Sequence, residues 1–351
     1  MAFQPRYTIT PRMLDSLMLI AEGRAVIENA RLLPSREAQL RRNAQISSTH
    51  SSTAIEGNKL TLEQVQTLAQ GGKVAATEKD KQEVLNYLNA LEKIQGLAVK
   101  GKISAADLLK MHGAVSRKVL NDDRQSGAFR DVQVFVGKVV FSGTSFKEEV
   151  AYTPPPAAEV KGLVEEFIAW LNIEQTWETN PVLLAGISHY EIARIHPFVD
   201  GNGRTARLFA SLVLYLSGFD HRRLFTLDEF YDRDRKSYYA ALKAVQEDNG
   251  DLTRWLEYFT QGVSVSVNEV RNAVAKTGGR SKGVTDRQIT LSSRQTEMIE
   301  YLTSHGKLTN QDVQKMYKIS AQAAHKELSK LIKINAIKSK GHGRSVHYLL
   351  K

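Results

Sequence analysis

His196-Pro197-Phe198-Val199-Asp200-Gly201-Asn202-Gly203-Arg204-Thr205-Ala206-Arg207 brings a possible base, a carboxylate, a Gly-Asn-Gly turn and two arginines into twelve residues. Before it, Leu183, Leu184, Ile187, Tyr190, Ile192 and Ala193 recur at helical spacing. Pro197 cannot continue that helix, so the chain breaks at His196. Gly201 and Gly203 permit positive φ and leave no side chain between backbone and ligand. From Arg204 onward Ala206, Leu208, Phe209, Leu212, Val213, Tyr215 and Leu216 form a second helical pattern. The stretch is therefore a loop feeding a helix N-terminus. Free N–H groups and the helix dipole favour an anion there, and a Gly-Asn-Gly turn can form a nest of amides. Arg204 and Arg207 lie three apart, on one face of the first turn. Their charge opposes the dipole, a cost that a bound anion would offset. Asp200 can hold Mg²⁺, which bridges phosphates through a carboxylate. His196 is the nearby group suited to general-base work near neutral pH.

The run fits the pattern HPFx(D/E)GNGRxxR at every specified position and resembles the signature of the Fic family. Most such proteins transfer AMP from ATP to a hydroxyl of a target protein. The resemblance implies that His196 deprotonates an incoming Ser, Thr or Tyr hydroxyl and that Asp200 holds Mg²⁺ against the α- and β-phosphates. It implies that Gly201, Asn202 and Gly203 cradle the phosphates, with Arg204 on the β-phosphate and Arg207 on the γ-phosphate. Relatives that remove AMP, or transfer another phosphate-containing group, share the motif, so those activities stay open.

Ser51-Ser52-Thr53-Ala54-Ile55-Glu56-Gly57-Asn58 resembles the family's inhibitory motif, with Ser52 and Glu56 as its defining residues. Its place before the core implies an N-terminal inhibitory helix. Glu56 would offer its carboxylate to Arg207 as a bidentate pair and take the place of the γ-phosphate. By residue type alone, the segment is also a helix end closed by Gly57. Val132, Val134 and Val136, then Gly137-Lys138, then Val139, Val140 and Phe141 read as a hairpin around a glycine turn. In the family such a hairpin precedes the motif and docks the target by strand addition; here Gly127 to Val134 resembles its approach. Tyr238-Tyr239-Ala240-Ala241-Leu242 resembles a family segment near the base. Tyr239 is the expected nucleotide contact, and Gln246 stands where the family has an Asn that meets adenine.

Other histidines carry less. His189 has no third ligand spaced for a metal and reads as a core or supporting residue. His50, His112 and His305 have no companions in sequence.

The chain has 351 residues, an apolar fraction of 42% and no cysteine, so disulfides and thiolate chemistry are excluded. No apolar run reaches the ~18 residues of a membrane span, and Met1 to Arg6 lacks the plan of a signal peptide. The expectation is a cytoplasmic protein away from membranes. Residues from Lys276 to Lys351 hold fifteen Lys/Arg against five Asp/Glu, which accounts for the whole net charge of +10. Lys276 to Gly283 is polar and glycine-rich, and reads as a linker.

Four segments follow: a helical region over 1–115 with the inhibitory motif, a catalytic core with its hairpin over 116–275, a linker over 276–284, and a tail over 285–351. The fold expected is mainly α, a Fic-type helical core with a short β-hairpin. In the first region Ser35, Thr61 and Ser104 are expected helix caps, Thr61 with a capping box. In the tail, Ser292, Thr309 and Ser320 open three helices, followed by a hairpin about Gly341 to Arg344. This resembles a winged helix-turn-helix. Gln322, His325, Lys326, Ser329 and Lys330 would face outward, with Lys338, Lys340 and Arg344 on the wing. Such a surface suits DNA, although a basic adaptor that binds protein fits the same charge. The alternative overall reading is a DNA-binding regulator whose core senses ATP or modifies itself. A homodimer is implied by the resemblance alone.

Overall fold

The computed structural model describes residues 3–30, 32–142, 145–220, 222–278, 291–334, 336–341, 343 and 346–351. Helices dominate. In chain order they are α1 (Pro11–Asn29), α2 (Pro34–Ile55), α3 (Leu62–Ala69), α4 (Glu78–Glu92) and α5 (Ala105–Ser116), then the hairpin strands β1 (Val136–Ser142) and β2 (Ser145–Tyr152). Next come α6 (Val160–Leu171), α7 (Pro181–Ile195), α8 (Asn202–Leu216), α9 (Asp228–Arg233), α10 (Arg235–Glu247) and α11 (Thr253–Gly278). The tail adds α12 (Ser293–His305), α13 (Asn310–Tyr317), α14 (Ala321–Lys333), β3 (Ile337–Lys340) and β4 (His347–Leu350).

The centre of the molecule is α7 packed on α8. Leu184, Ile192 and Ile195 of α7 and Leu208, Phe209, Leu212 and Val213 of α8 have no solvent exposure. Each such side chain contributes about 1.5–3 kcal/mol on burial, so the loop between the two helices is held at both ends. One apolar core runs from Met13 to Val267, and residues of the 1–115 and 116–275 segments share it. α1 and α11 pack so closely that a Cβ on Gly23 would stand 2.5 Å from Val267 Cγ1.

α2 is unlike the others. Its buried side carries Ser48, Thr49, Ser51, Ser52 and Thr53, so no apolar stripe marks it in the sequence. Thr53 donates to the Thr49 carbonyl at 2.8 Å and Ser48 donates to Asp228, while the Thr49 hydroxyl is buried with no hydrogen-bond partner among the described residues.

Side-chain caps set many of the boundaries. Thr61 and Ser104 close capping boxes with Gln64 and Asp107; Ser292 and Thr309 do so with Gln295 and Asp312; Ser320 caps α14. Ser35 does not cap α2. Leu33 holds the cap position and Pro34 the first turn, where its missing N–H costs nothing.

The hairpin differs from its expected form. Gly137 and Lys138 lie within β1, which pairs antiparallel with Ser145 to Tyr152. The register shifts between Val136 and Gly137, so the glycine marks a bulge rather than the turn. Val132 and Val134 precede the strand without joining it.

The linker expected over 276–284 begins inside α11, which reaches Gly278; Lys276 and Thr277 do not break a helix. Residues 279 to 284 lie outside the described residues, as do His342 and Arg344 of the expected wing.

The tail has its own core of Met298, Ile299, Leu302, Leu308, Val313, Leu328, Leu331 and Tyr348, completed by Ala38 of α2. β3 and β4 pair antiparallel, Ile337 opposite Leu350. α12 rests on α2, where Glu300 meets Arg41 at 2.5 Å and Arg223 at 3.6 Å. The tail is thus seated on the helix that ends at Glu56.

Candidate active site

α7 ends at His196, whose φ of 51° puts it in the left-handed region. The chain turns, and α8 begins after Gly201, with φ of 79°. Asn202 staples the turn: its Oδ1 accepts the Phe198 N–H at 2.9 Å and its Nδ2 donates to the Phe198 carbonyl at 2.8 Å. The Asn202 side chain is therefore spent on the loop, and its backbone is what remains for a phosphate. Gly201 gives α8 no side-chain cap, so the first N–H groups of α8 have no intrahelical partner.

His196 Nδ1 lies 3.2 Å from the Ala193 carbonyl. A proton assigned to Nδ1 donates there and leaves the Nε2 lone pair available. Burial lowers the His196 pKa, and the Ala193 bond and the Glu56 charge restore part of it. The ring is neutral at pH 7, as a base must be. Arg130, unmarked in the sequence as a site residue, fixes this corner from behind. It is buried and donates to the carbonyls of His196 at 2.8 Å, Val132 at 3.0 Å and Pro155 at 2.5 Å. Its own N–H donates to the Pro197 carbonyl at 2.9 Å.

Asp200 is half exposed. Its Oδ1 accepts from Gly201 N–H at 2.5 Å and pairs with Arg204 Nη2 at 3.3 Å. Among the described residues no cluster of three or more His, Asp or Glu side chains could hold a metal. One open carboxylate beside a row of amides still fits Mg²⁺, which takes most of its ligands from phosphates and water.

Arg204 is buried and pairs with Glu83 of α4 at 3.2 Å, while its Nε is buried with no hydrogen-bond partner among the described residues. Glu83 also accepts from Asn58 Nδ2 at 2.9 Å, which ties the end of the Ser51–Asn58 segment to the arginine.

Arg207 gathers the most. Its Nε donates to Ser52 Oγ at 2.8 Å, and its Nη2 donates to the Ser52 carbonyl at 2.9 Å and to Glu56 Oε1 at 2.8 Å. Asp228 of α9 pairs with Nε at 3.3 Å. The expected bidentate Glu56–Arg207 pair is a single hydrogen bond, while Ser52 and Asp228 meet the guanidinium at Nε. Burial alone would lower the Arg207 pKa, but its acidic neighbours, Glu56 foremost and Asp228 with it, outweigh that and hold it well above the usual value. Burial raises the Asp228 carboxyl, and Arg207 pulls part of that back.

Glu56 caps the C-terminus of α2, and Gly57 follows with φ of 98°. A carboxylate there works against the helix dipole. Its reward is across the site. A Cβ built on Gly203 would collide with Glu56 Oε1 and sit 3.1 Å from Arg207 Nη1. The Glu56 carboxylate thus lies over the N-terminus of α8.

Tyr239 is 44% exposed on α10. Partial burial, then the Glu56 charge, raises its pKa. Gln246 is exposed seven residues on, on the same face of α10. Tyr238 turns inward to His189 Nε2 at 2.9 Å. His189 is buried among Tyr231, Trp255 and Phe259, and burial takes its pKa down to about 3, as befits a core residue.

His112, without companions in sequence, has them in space. It is fully buried on α5, stacked on Phe198 with ring centroids 3.7 Å apart. It bridges Gly127 N–H to the Asp200 carbonyl, both at 2.9 Å. Asp228, Glu83, Arg130 and His112 come from four separate segments, so no local pattern could have found them.

Residues 102–214 match the Fic/DOC family model. The chain is 31% identical over 237 residues to protein adenylyltransferase fic-1 of Caenorhabditis briggsae, covering 66% of this chain and 42% of that protein. It is 29% identical over 248 residues to protein adenylyltransferase Fic of Drosophila grimshawi, covering 70% and 44% respectively. The chain thus spans under half the length of these curated relatives. Among solved structures, a Fic family protein from Desulfovibrio desulfuricans G20 aligns over 99% of this chain and 98% of its own, with TM-score 0.64 and 25% identity. Fic-1 from C. elegans aligns over 76% and 73%, with TM-score 0.61 and 26% identity.

Proposed function

The chain carries a Fic/DOC family domain, and we propose that it transfers AMP from ATP to a Ser, Thr or Tyr hydroxyl of a target protein, under restraint by Glu56. The observation that carries this reading is the Glu56 carboxylate over Gly203 and on Arg207. A carboxylate held over a helix N-terminus and on a buried arginine supports reading this place as an anion position. The relatives named protein adenylyltransferase support the chemistry.

In this reading ATP binds productively once Glu56 has left Arg207. Its γ-phosphate takes Arg207, the β-phosphate takes Arg204 with its unpartnered Nε, and the amides of Gly201, Asn202 and Gly203 face the phosphates. Asp200 would hold Mg²⁺, which neutralises phosphate charge when bound. Tyr239 and Gln246 would be the contacts to the base. His196 Nε2 takes the proton of the target hydroxyl. The hydroxyl oxygen bonds to the α-phosphorus, the bond to the β-phosphate oxygen breaks, and pyrophosphate leaves. The β1–β2 hairpin, with exposed Val132 and Phe135 before it and Val150 in β2, would present the target segment. With Glu56 in place, ATP binds with its α-phosphate turned from in-line attack; a misplacement of ~1 Å costs about 10²-fold in rate.

The test supplies α-labelled or γ-labelled ATP with Mg²⁺ to the parent chain, Glu56→Gly and Glu56→Gly/His196→Ala, and reads self-labelling and labelling of a lysate. Transfer from the α position alone, raised by Glu56→Gly and lost with His196→Ala, is expected. Transfer from the γ position, or none from any form that binds ATP, refutes it.

A second reading rests on the tail. Gln322, His325, Lys326 and Lys330 of α14 are exposed, as are Lys338 and Lys340 of β3, although Lys330 pairs with Glu327 at 2.7 Å. Three helices and a hairpin with that face suit a winged helix on DNA. The core would then act as an ATP sensor or self-modifier. DNA binding that weakens steeply with salt and is lost in Lys326→Ala/Lys330→Ala, with biological output kept in His196→Ala, would favour it. Homodimerisation belongs to the first reading on family resemblance alone, and a cytoplasmic setting on the absence of cysteine and of an apolar span in the sequence.

A further inference from the structure

We propose that His112 is a positioning residue of this site: it pins the Asp200–Gly201 peptide to the turn at Gly127 and so sets where the Asp200 carboxylate points. The inference rests on the reading of Asp200 as the metal-holding carboxylate.

The geometry leaves His112 one arrangement. The Gly127 N–H can only donate, so His112 Nδ1 accepts it; the Asp200 carbonyl can only accept, so Nε2 carries the proton. Both ring nitrogens are used. The ring lies flat on Phe198, with an interplanar angle of 3°, and Phe198 is the residue that Asn202 staples. The Asp200 carbonyl belongs to the peptide whose N–H, on Gly201, donates to Asp200 Oδ1 at 2.5 Å. Fixing that peptide fixes the carboxylate.

The other end is equally constrained. Gly127 has φ of 75°, and a Cβ on it would stand 3.0 Å from the Leu109 carbonyl and 3.6 Å from Gly113 Cα. The turn before the hairpin therefore lies directly on α5, with glycine on both sides of the contact. Arg130, three residues on, holds the His196 carbonyl at 2.8 Å. Gly127 through His112 and Arg130 directly thus tie one short segment to both ends of the His196–Asp200 loop. A partner that orients a metal-holding group in this way is worth about 10–100-fold in metal affinity or activity.

The experiment measures ATP binding calorimetrically, with Mg²⁺ and with EDTA, in Glu56→Gly, Glu56→Gly/His112→Phe and Glu56→Gly/His112→Gln, beside melting curves and kcat and KM for transfer. His112→Phe keeps the stack and loses both hydrogen bonds; His112→Gln restores a donor toward Asp200. The expected result is that the affinity gained from Mg²⁺ falls about 10–100-fold in the Phe variant, while affinity in EDTA holds, kcat falls more than KM rises, and Gln recovers part of the loss. An undiminished Mg²⁺ gain in a folded Phe variant overturns the proposal. So does a Glu56→Gly chain whose ATP affinity ignores Mg²⁺, or loss of cooperative melting in both variants, which would make His112 a core residue only. If Glu56→Gly binds Mg²⁺ and ATP but transfers nothing, the AMP-transfer reading fails, and the binding comparison still decides the role of His112.

Discussion

Replacing Glu56 with glycine should accelerate AMP transfer, and the structure bounds by how much. Glu56 makes one charge-assisted hydrogen bond to Arg207, at 2.8 Å, and its side chain is 29% exposed. A hydrogen bond to a charged group contributes about 1.5–3 kcal/mol, which at 1.4 kcal/mol per decade is a restraint of about 10- to 150-fold. Partial exposure places the value toward the lower end, because solvent screens the pair. Arg207 keeps Ser52 and Asp228 in the variant, so the protein should melt close to the parent. The assay is the initial rate of α-label transfer at ATP well below saturation, where displacement of Glu56 is limiting. Glu56→Gln should fall between parent and Glu56→Gly, since the amide oxygen still accepts from Arg207 but the attraction of carboxylate for guanidinium is lost. The reasoning is refuted if Glu56→Gly is no faster than the parent while transfer still depends on His196.

Three further outcomes follow from the same geometry. Gly203→Ala puts a methyl where Glu56 Oε1 now sits and beside Arg207, so it should lose ATP binding even in a Glu56→Gly background; nucleotide affinity within a factor of about three, under 1 kcal/mol, would count against a phosphate at that position. Arg130→Lys replaces a guanidinium that reaches three backbone carbonyls with a single ammonium. It should cost about 3 kcal/mol in urea unfolding, and an unchanged midpoint would contradict the clamp. His189 is buried with a pKa down to about 3. Between its unfolded value near 6.5 and that folded value only the unfolded chain binds the proton, so stability falls as pH drops through this window. At pH 5 the loss relative to pH 7 is about 2 kcal/mol for this residue, and His189→Phe should flatten that part of the acid slope; a parallel slope in the variant would refute the attribution.

What the sequence discloses here is what is local. Thr61, Ser104, Ser292, Thr309 and Ser320 cap helices within three residues of themselves, and Pro197 and Gly201 break a helical pattern at the point of reading. The tail's three helices and hairpin follow from the same signals. Ser35 misleads because Pro34 already starts its helix, and Gly137 misleads because a strand glycine can mark a bulge as well as a turn. The polar face of α2 gives no apolar period because it is buried against charge. Within the site, the motif residues stand together because twelve consecutive residues make one loop. Glu56 joins them across 151 positions, and only its resemblance to a known pattern pointed there. Asp228, Glu83, Arg130 and His112 are brought in by packing, and nothing adjacent to them in the chain announces it.

The most direct measurement is the mass of what is added. Glu56→Gly would be incubated with unlabelled ATP and a cell lysate, and its own peptides and those of the lysate analysed by mass spectrometry against Glu56→Gly/His196→Ala. The account predicts the mass of AMP as an ester on a Ser, Thr or Tyr hydroxyl, present only where His196 is intact. The mass of a lone phosphate, or an AMP ester equally abundant without His196, would contradict it.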